Sequence, residues 1–471
     1  MNGTEPQPPR GVACRGAEIN SLVPASRVLV GSGTTVTLPQ PAPKPYQIAA
    51  AVIGNALEWY DFIVFGFFAV IISRLFFPAG SQYASLLFTT ATFGVGFFMR
   101  PVGGLFLGVY ADRRGRKAAL LVVIASMTVA IALIAFAPTY AAIGIGAPLI
   151  IVVARLLQGF SAGGEFASAT AFLIESAPAG RRGFYGSWQM VGQGLAVLIG
   201  AILGAVLTKT LSPEALDGWG WRIPFLFGLI IGPIGLYIRS NLAETQAFLQ
   251  TDRTATSRAV RGRALAFHVK QILVCFGIVV SGTISFYVIL VYIPTFARTQ
   301  LQLPLDQAFF AQSIGLACEV VLIPICGALS DRIGRKPVMI ASLVLSLLVT
   351  YPLFVWVSSN PSFSTLLIMQ VVLCSLFGIG NGPVSTALGE QFPTHVRSTA
   401  LAIGYNIAVM AFGGFAQFFV TWLIHATGTP IAPAFYLMFG SAVGLFAVLF
   451  LAERAGEAQL AVSDAVEPHA A

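Results

Sequence analysis

Twelve runs of about 20 apolar residues, each nearly free of charge, alternate with short polar segments along this chain. They cover approximately 47–72, 83–108, 118–137, 147–175, 184–208, 221–239, 268–293, 306–329, 337–357, 363–389, 398–425 and 431–452. Lipid offers no partner to an open backbone, so apolar runs of this length predict membrane-spanning helices. The expected fold is an all-α membrane protein with twelve transmembrane helices.

The polar segments between the runs repeat. GVYADRRGRK, Gly108 to Lys117, returns as GALSDRIGRK, Gly327 to Lys336. Glu175, Pro178 and Arg182 recur in the same way as Glu390, Pro393 and Arg397. Two different motifs duplicated in one order predict two homologous, pseudo-symmetric six-helix halves, a construction common among secondary transporters. The expected organisation is a tail over 1–46, halves over 47–239 and 268–452, a basic linker over 240–267, and a second tail over 453–471.

Composition sharpens this picture. Of the residues, 56% are hydrophobic and 10% charged, against about 25% charged in soluble domains. The net charge of +8 does not point to nucleic acid, because the cations gather in alternate loops around 113–117, 181–182, 253–263, 332–336 and 397. That asymmetry predicts those loops, and both termini, on the cytoplasmic side. Residues 1–46 lack the apolar core of a cleavable signal, so the first membrane helix is expected to direct insertion. The tail is expected to be disordered, part of it an over-extended start. Cys14 lies in the tail and the other four cysteines lie inside apolar runs. With no Cys/His ligand spacing, neither a disulfide nor a metal site is expected. No nucleophile or cofactor constellation supports an enzyme, and no ligand domain or selectivity filter supports a receptor or channel.

The segments GNALEWYDF (54–62), MRPVGGLFLGVYADRRGRK (99–117), ARLLQGFSAGGE (154–165), RRGFYGSWQ (181–189), GWGWRIPF (218–225), ETQAFLQ (244–250) and EQFPTHVRSTA (390–400) together resemble the major facilitator superfamily. More narrowly they resemble its metabolite:proton symporters, over roughly residues 45–452. That family carries citrate, tricarballylate, 2-oxoglutarate, shikimate, and proline with betaine. The resemblance implies a bacterial inner-membrane symporter, working as a monomer, with small-molecule substrate and lipid as its partners. The proton is the coupling ion and no cofactor is needed. A di- or tricarboxylate such as citrate or 2-oxoglutarate is the expected cargo; the alternatives are shikimate or a zwitterion such as proline or betaine. The absence of heptads after the last span lowers the osmolyte reading, while EWYDF and GGEFASA depart from the citrate carriers.

Particular residues follow. In each repeated loop an Asp is placed to meet a helix N-terminus or an Arg, and a Gly permits a tight turn. The resemblance implies that Gly108, Asp112, Arg113, Gly115, Arg116, Glu175 and Arg182, with Asp331, Arg332, Gly334, Arg335, Glu390 and Arg397, form a cytoplasmic gate; otherwise these charges only set topology. Asn55, Glu58 and Asp61 recur every three residues and predict a polar stripe on the first helix. By resemblance Asp61 is the proton-coupling acid, with Glu58 as substitute or structural acid. Arg155, Gln158, Ala162 and Glu165 share one helical face. The resemblance pairs Arg155 with the first-helix acid, so that substrate binding at the Arg releases the acid to take a proton. A static salt bridge is the alternative. Gln189 and Gln193, beside Trp188, suit hydrogen bonding to carboxylates, or equally to a neighbouring helix. Tyr287, Tyr292, Glu319 and Asn381 are further candidates, and the Gly and Pro around Asn381 predict a broken helix. His268, His395 and His425 are read as ordinary helix-end residues.

Overall fold

The computed structural model describes residues 27–30, 34–37, 45–114, 116–162, 180–230, 268–392 and 394–453, with scattered positions between 166 and 178. In the amino-terminal tail, β1 (Arg27–Val30) and β2 (Thr34–Thr37) pair antiparallel, Arg27 facing Thr37 and Val30 facing Thr34.

From Pro45 on, the regular structure among the described residues is helical. The labelled helices are α1 (Pro45–Phe67), α2 (Ala69–Phe76), α3 (Gln82–Arg114), α4 (Arg116–Ala135), α5 (Gly146–Ser161) and α6 (Arg182–Thr210). After the linker come α7 (Val269–Ser285), α8 (Leu305–Ile333), α9 (Arg335–Ser359), α10 (Phe363–Glu390), α11 (Thr394–Ala408), α12 (Ala416–Thr427) and α13 (Ala432–Leu449). Among the described residues, 7 helices are long and apolar enough to cross a bilayer, and the bent pair Asn55–Phe67 and Ala69–Phe76 makes up to 8. Leu121–Ala135, Gly146–Ser161 and Gly220–Ile230 are shorter apolar helices. The chain is thus an all-α, multi-pass membrane protein.

Small residues decide which helices touch, as expected where lipid removes most of the hydrophobic drive for association. Gly96 of α3 and Gly159 of α5 bring two backbones into contact, and a side chain at either would strike the other's carbonyl or its neighbour. α6 runs antiparallel to α8: Gly183 meets Gly327, Gly194 meets Val320, and Gly204 meets Phe309. α10 lies along the other side of α8, with Gly378 against Glu319 and Gly382 against Gly327. These three helices form the central seam.

Three local features differ from the sequence expectation. The first span is not one straight helix, because it bends by 62° between Phe67 and Ala69. The bend lets Phe67 and Phe68 both reach the Phe309 ring. The expected break around Asn381 is absent: α10 continues through Gly380, Asn381, Gly382 and Pro383. Its glycines serve close packing against α8 instead. Irregular backbone lies elsewhere, in π-helical turns at Phe286–Tyr292 and Val409–Gly413.

Candidate functional site

A cavity of about 440 Å³ lies between α1, α6, α7, α10 and α11, with Trp59, Gln193, Phe286, Tyr287, Asn381 and Tyr405 on its walls. Gln193 Nε2 and the Tyr287 hydroxyl are buried there without hydrogen-bond partners. Buried polar atoms are nearly always satisfied, so unpaired ones facing a cavity mark a place for a polar ligand. Asn381 also borders a second cavity, about 600 Å³, among α7, α9, α10 and α13, where Ser281, Ser285, Ser342 and Ser441 contribute hydroxyls.

Beside the central cavity sit two buried guanidinium groups. Arg100 of α3 stacks on Phe62 at 4.6 Å, on Phe97 at 4.7 Å and on Trp59 at 5.6 Å, and it reaches the Tyr405 side chain. Arg155 of α5 stacks on Phe62 at 4.5 Å and on Phe93 at 4.6 Å. Both therefore share the Phe62 ring. Arg155 donates to Gln158 Oε1 at 2.6 Å and to the carbonyls of Phe93 at 3.2 Å and Phe62 at 3.4 Å. Neither arginine forms an ion pair among the described residues, and both Nε atoms lack partners. Ring faces attract cations only modestly, so among the described residues the two positive charges are largely uncompensated. Tyr287 bridges this layer to the cavity, packing edge-on against Phe93 and Phe97.

The other expected site residues divide into satisfied and available groups. Asn55 and Gln189 hold each other: the Asn55 amide donates to the Gln189 carbonyl at 3.0 Å, and the Gln189 amide donates to Asn55 Oδ1 at 3.2 Å. They join α1 to α6 in this structure. Gln158 is engaged with Arg155 and donates to the Asp61 carbonyl at 3.4 Å. The Asp61 carboxylate is not paired with Arg155. It points instead at Gly228, where any side chain would strike Oδ1. Arg155 is held by the backbone oxygens of residues 62 and 93, and Gln158 links its guanidinium to the main chain at Asp61. Tyr292 bonds to Thr421 at 3.1 Å rather than facing the cavity. The side chain of Glu58, and Glu165 altogether, lie outside the described residues.

At the end of the bundle carrying the second repeated loop, several of the residues expected to form a gate are joined in one network. Gly334 adopts φ +98° and separates α8 from α9, the tight turn anticipated for this glycine. Asp331 accepts from the N–H groups of Gly183 at 2.7 Å and Phe184 at 2.9 Å, at the N-terminus of α6. Arg335 pairs with Asp331 at 2.9 Å and with Glu390 at 3.4 Å. Thr386 of α10 donates to the Arg182 carbonyl at 2.9 Å. Arg397 donates to the Phe392 carbonyl at 3.3 Å. Arg332 is exposed. In the first repeat, Gly115 and Glu175 lie outside the described residues, as do the surroundings of Gly108, Asp112, Arg113 and Arg116.

Arg100, Trp59 and Tyr405 are site residues the sequence reading passed over. Arg100 was accessible to it. An arginine inside an apolar run is costly unless it lines a pathway, and Arg100 was instead absorbed into a family motif. Trp59 and Tyr405 carry no such mark, since cavity-facing and core aromatics look alike.

The chain matches the family described as Sugar (and other) transporter over residues 47–266 and Major Facilitator Superfamily over residues 276–467. It is 39% identical over 405 residues to the citrate-proton symporter of Klebsiella pneumoniae, covering 86% of this chain and 91% of that one. It is 35% identical over 426 residues to the glycine betaine/proline/ectoine/pipecolic acid transporter OusA of Dickeya dadantii, covering 87% and 83%. Among solved structures, the proton:xylose symporter XylE bound to 6-bromo-6-deoxy-D-glucose superposes with TM-score 0.71 at 19% identity, over 88% of this chain and 96% of that one. This last likeness is one of fold. The chain belongs to the major facilitator superfamily and is similar within it to citrate- and proline/betaine-proton symporters. It is a multi-pass membrane transporter of a small solute, and not an enzyme.

Proposed function

We propose that this protein imports a small organic acid, a di- or tricarboxylate such as citrate or 2-oxoglutarate, together with protons across the bacterial inner membrane. The observation that carries this reading is the pair of buried guanidiniums on Phe62, uncompensated by any described carboxylate. Bidentate guanidinium–carboxylate contacts are strong and directional, and a polyanion satisfies both charges at once. Gln193, Tyr287 and Asn381 supply further hydrogen bonds from the cavity wall. Similarity to the citrate-proton symporter of Klebsiella pneumoniae supports the same cargo class.

In this proposal the chain crosses the membrane twelve times, in two six-helix halves with both termini cytoplasmic, and rocks as a monomer around the cavity. The Asp331 network closes its cytoplasmic end. Asp61 takes the coupled proton, and Gln158 transmits the loading of Arg155 to it. Asp61→Asn then retains substrate exchange but loses the uphill accumulation that its proton drives, because exchange requires no net proton release.

The aromatic lining favours a second reading, since Trp59, Phe286, Tyr287 and Tyr405 also suit a quaternary ammonium such as betaine. Uptake of labelled citrate, 2-oxoglutarate, shikimate and betaine into vesicles, with and without a proton gradient, separates the two. Gradient-dependent uptake of citrate or 2-oxoglutarate that weakens sharply in Arg100→Gln supports the first reading. Betaine uptake alone overturns it.

A further inference from the structure

Glu319 lies halfway along α8, where α6 and α10 both press against it. Its carboxylate is buried, and Oε2 has no hydrogen-bond partner. Gly194 of α6 packs on the neighbouring Val320, and a β-carbon on it would lie 4.0 Å from Glu319 Oε1, in ordinary van der Waals contact. Gly378 of α10 comes closer, its added β-carbon falling 3.0 Å from the Glu319 carbonyl oxygen and 3.2 Å from Cγ. The acid thus lies at the seam between α6, from the first half, and α8 and α10, from the second. The titratable groups around it are Cys374 of α10 and Cys318 of its own helix. Among the described residues no Lys, Arg or His pairs with it.

We propose that Glu319 is a second proton-binding site, loaded when the α6–α8 seam is closed and emptied when the seam parts. This rests on the proton-coupled reading above, but not on the identity of the cargo. An ionised carboxylate without a cation is poorly tolerated away from water, so the closed seam suits the acid carrying its proton. Rocking of the halves draws α6 off α8, admits water to the carboxylate and stabilises its ionised form. The proton therefore leaves on the side to which the seam opens. A closed seam around a bare carboxylate is disfavoured, which ties the return of the halves to reloading.

The test uses the full-length protein in proteoliposomes, with whichever of labelled citrate, 2-oxoglutarate, shikimate or betaine the unmodified carrier accumulates. Failure of the cargo assignment thus appears in the unmodified protein, and failure of this proposal only in the variants. Each coupled proton multiplies steady-state accumulation about tenfold per unit of imposed pH difference. Glu319→Gln imitates the neutral acid in the same volume, so it is expected to retain counterflow while accumulation drops about tenfold at one pH unit. Glu319→Asp keeps a titratable group and is expected to recover most of the loss. Unchanged accumulation in Glu319→Gln overturns the proposal. So does loss of counterflow in that variant, or an Asp variant that behaves like the Gln one, because each shows that shape rather than the proton matters.

Discussion

The two ends of the α6–α8 seam are closed by different chemistry. At the end bearing the repeated loop, Asp331 accepts two backbone N–H groups from the start of α6 while Arg335 holds both Asp331 and Glu390. Toward the other end the described contacts between α6 and α8 are apolar: Phe309 sits against Gly204 between the rings of Phe67 and Phe68. Where α3 meets α12, Tyr83 stacks on His425 at 3.8 Å. A charge-assisted lock has sharp geometry and fails as a unit, because removing one partner strands the other. An aromatic contact loses strength gradually as the surfaces slide. We infer that one end acts as a latch and the other as a graded seal.

The largest effect is expected from Asp331→Ala, which removes one of the two carboxylates that Arg335 pairs with and leaves two helix-terminal N–H groups without their acceptor. The closed latch should weaken by about 3–5 kcal/mol. Turnover should drop far more than substrate affinity, as measured by uptake kinetics beside equilibrium binding. Phe309→Ala comes next. It opens a void against Phe67, Phe68 and Gly204, at about 3 kcal/mol by analogy with buried aromatic truncations. Thermal denaturation in detergent should show the loss, while the proton dependence of uptake stays as in the parent. Gly327→Ala forces α8 away from the Gly183 carbonyl and the Ser187 side chain, for about 1–3 kcal/mol. It should loosen the latch end without removing any charge, and equal turnover in Gly327→Ala and the parent would show that helix proximity is not what the latch requires. The smallest effect is expected from Tyr83→Ala, which removes one stacked pair worth about 1 kcal/mol. Its signature is faster substrate release at the sealed end in efflux measurements, with uptake otherwise intact.

How much of this was readable beforehand depends on the range of the interaction. Apolar runs and the duplicated Gly–Asp–Arg–Gly–Arg pattern are local, and they pointed correctly to a multi-pass facilitator and to the tight turn at Gly334. Hydrogen-bond partners between distant helices are not local. Nothing in the spacing of Asn55 and Gln189 says that they satisfy each other, or that the Asp61 carboxylate turns toward Gly228 instead of Arg155. The expected break at Asn381 failed for a related reason. Gly and Pro weaken an isolated helix, but packing between membrane helices rewards the small surface they leave. Arg100 was legible and overlooked: its position in an apolar run was the signal.

The π-helical turn at Phe286–Tyr292 carries a consequence for how this protein tolerates insertion and deletion. Such a turn closes its hydrogen bonds from i to i+5, so it holds one residue more than the α-helix it interrupts. Deleting any single residue between Tyr287 and Tyr292 would let the segment relax into continuous α-helix, while Ile293–Thr299 kept its own geometry. The parts before and after the turn would then keep their relative orientation, because the lost residue is the one the turn had absorbed. A deletion in the regular helix on either side has no such buffer and would rotate one part against the other by about 100°, one residue's worth of helical angle, swinging Tyr287 off the cavity wall or Tyr292 away from Thr421. The turn is thus the one stretch described in this span where the chain can shorten by a residue without turning one end against the other.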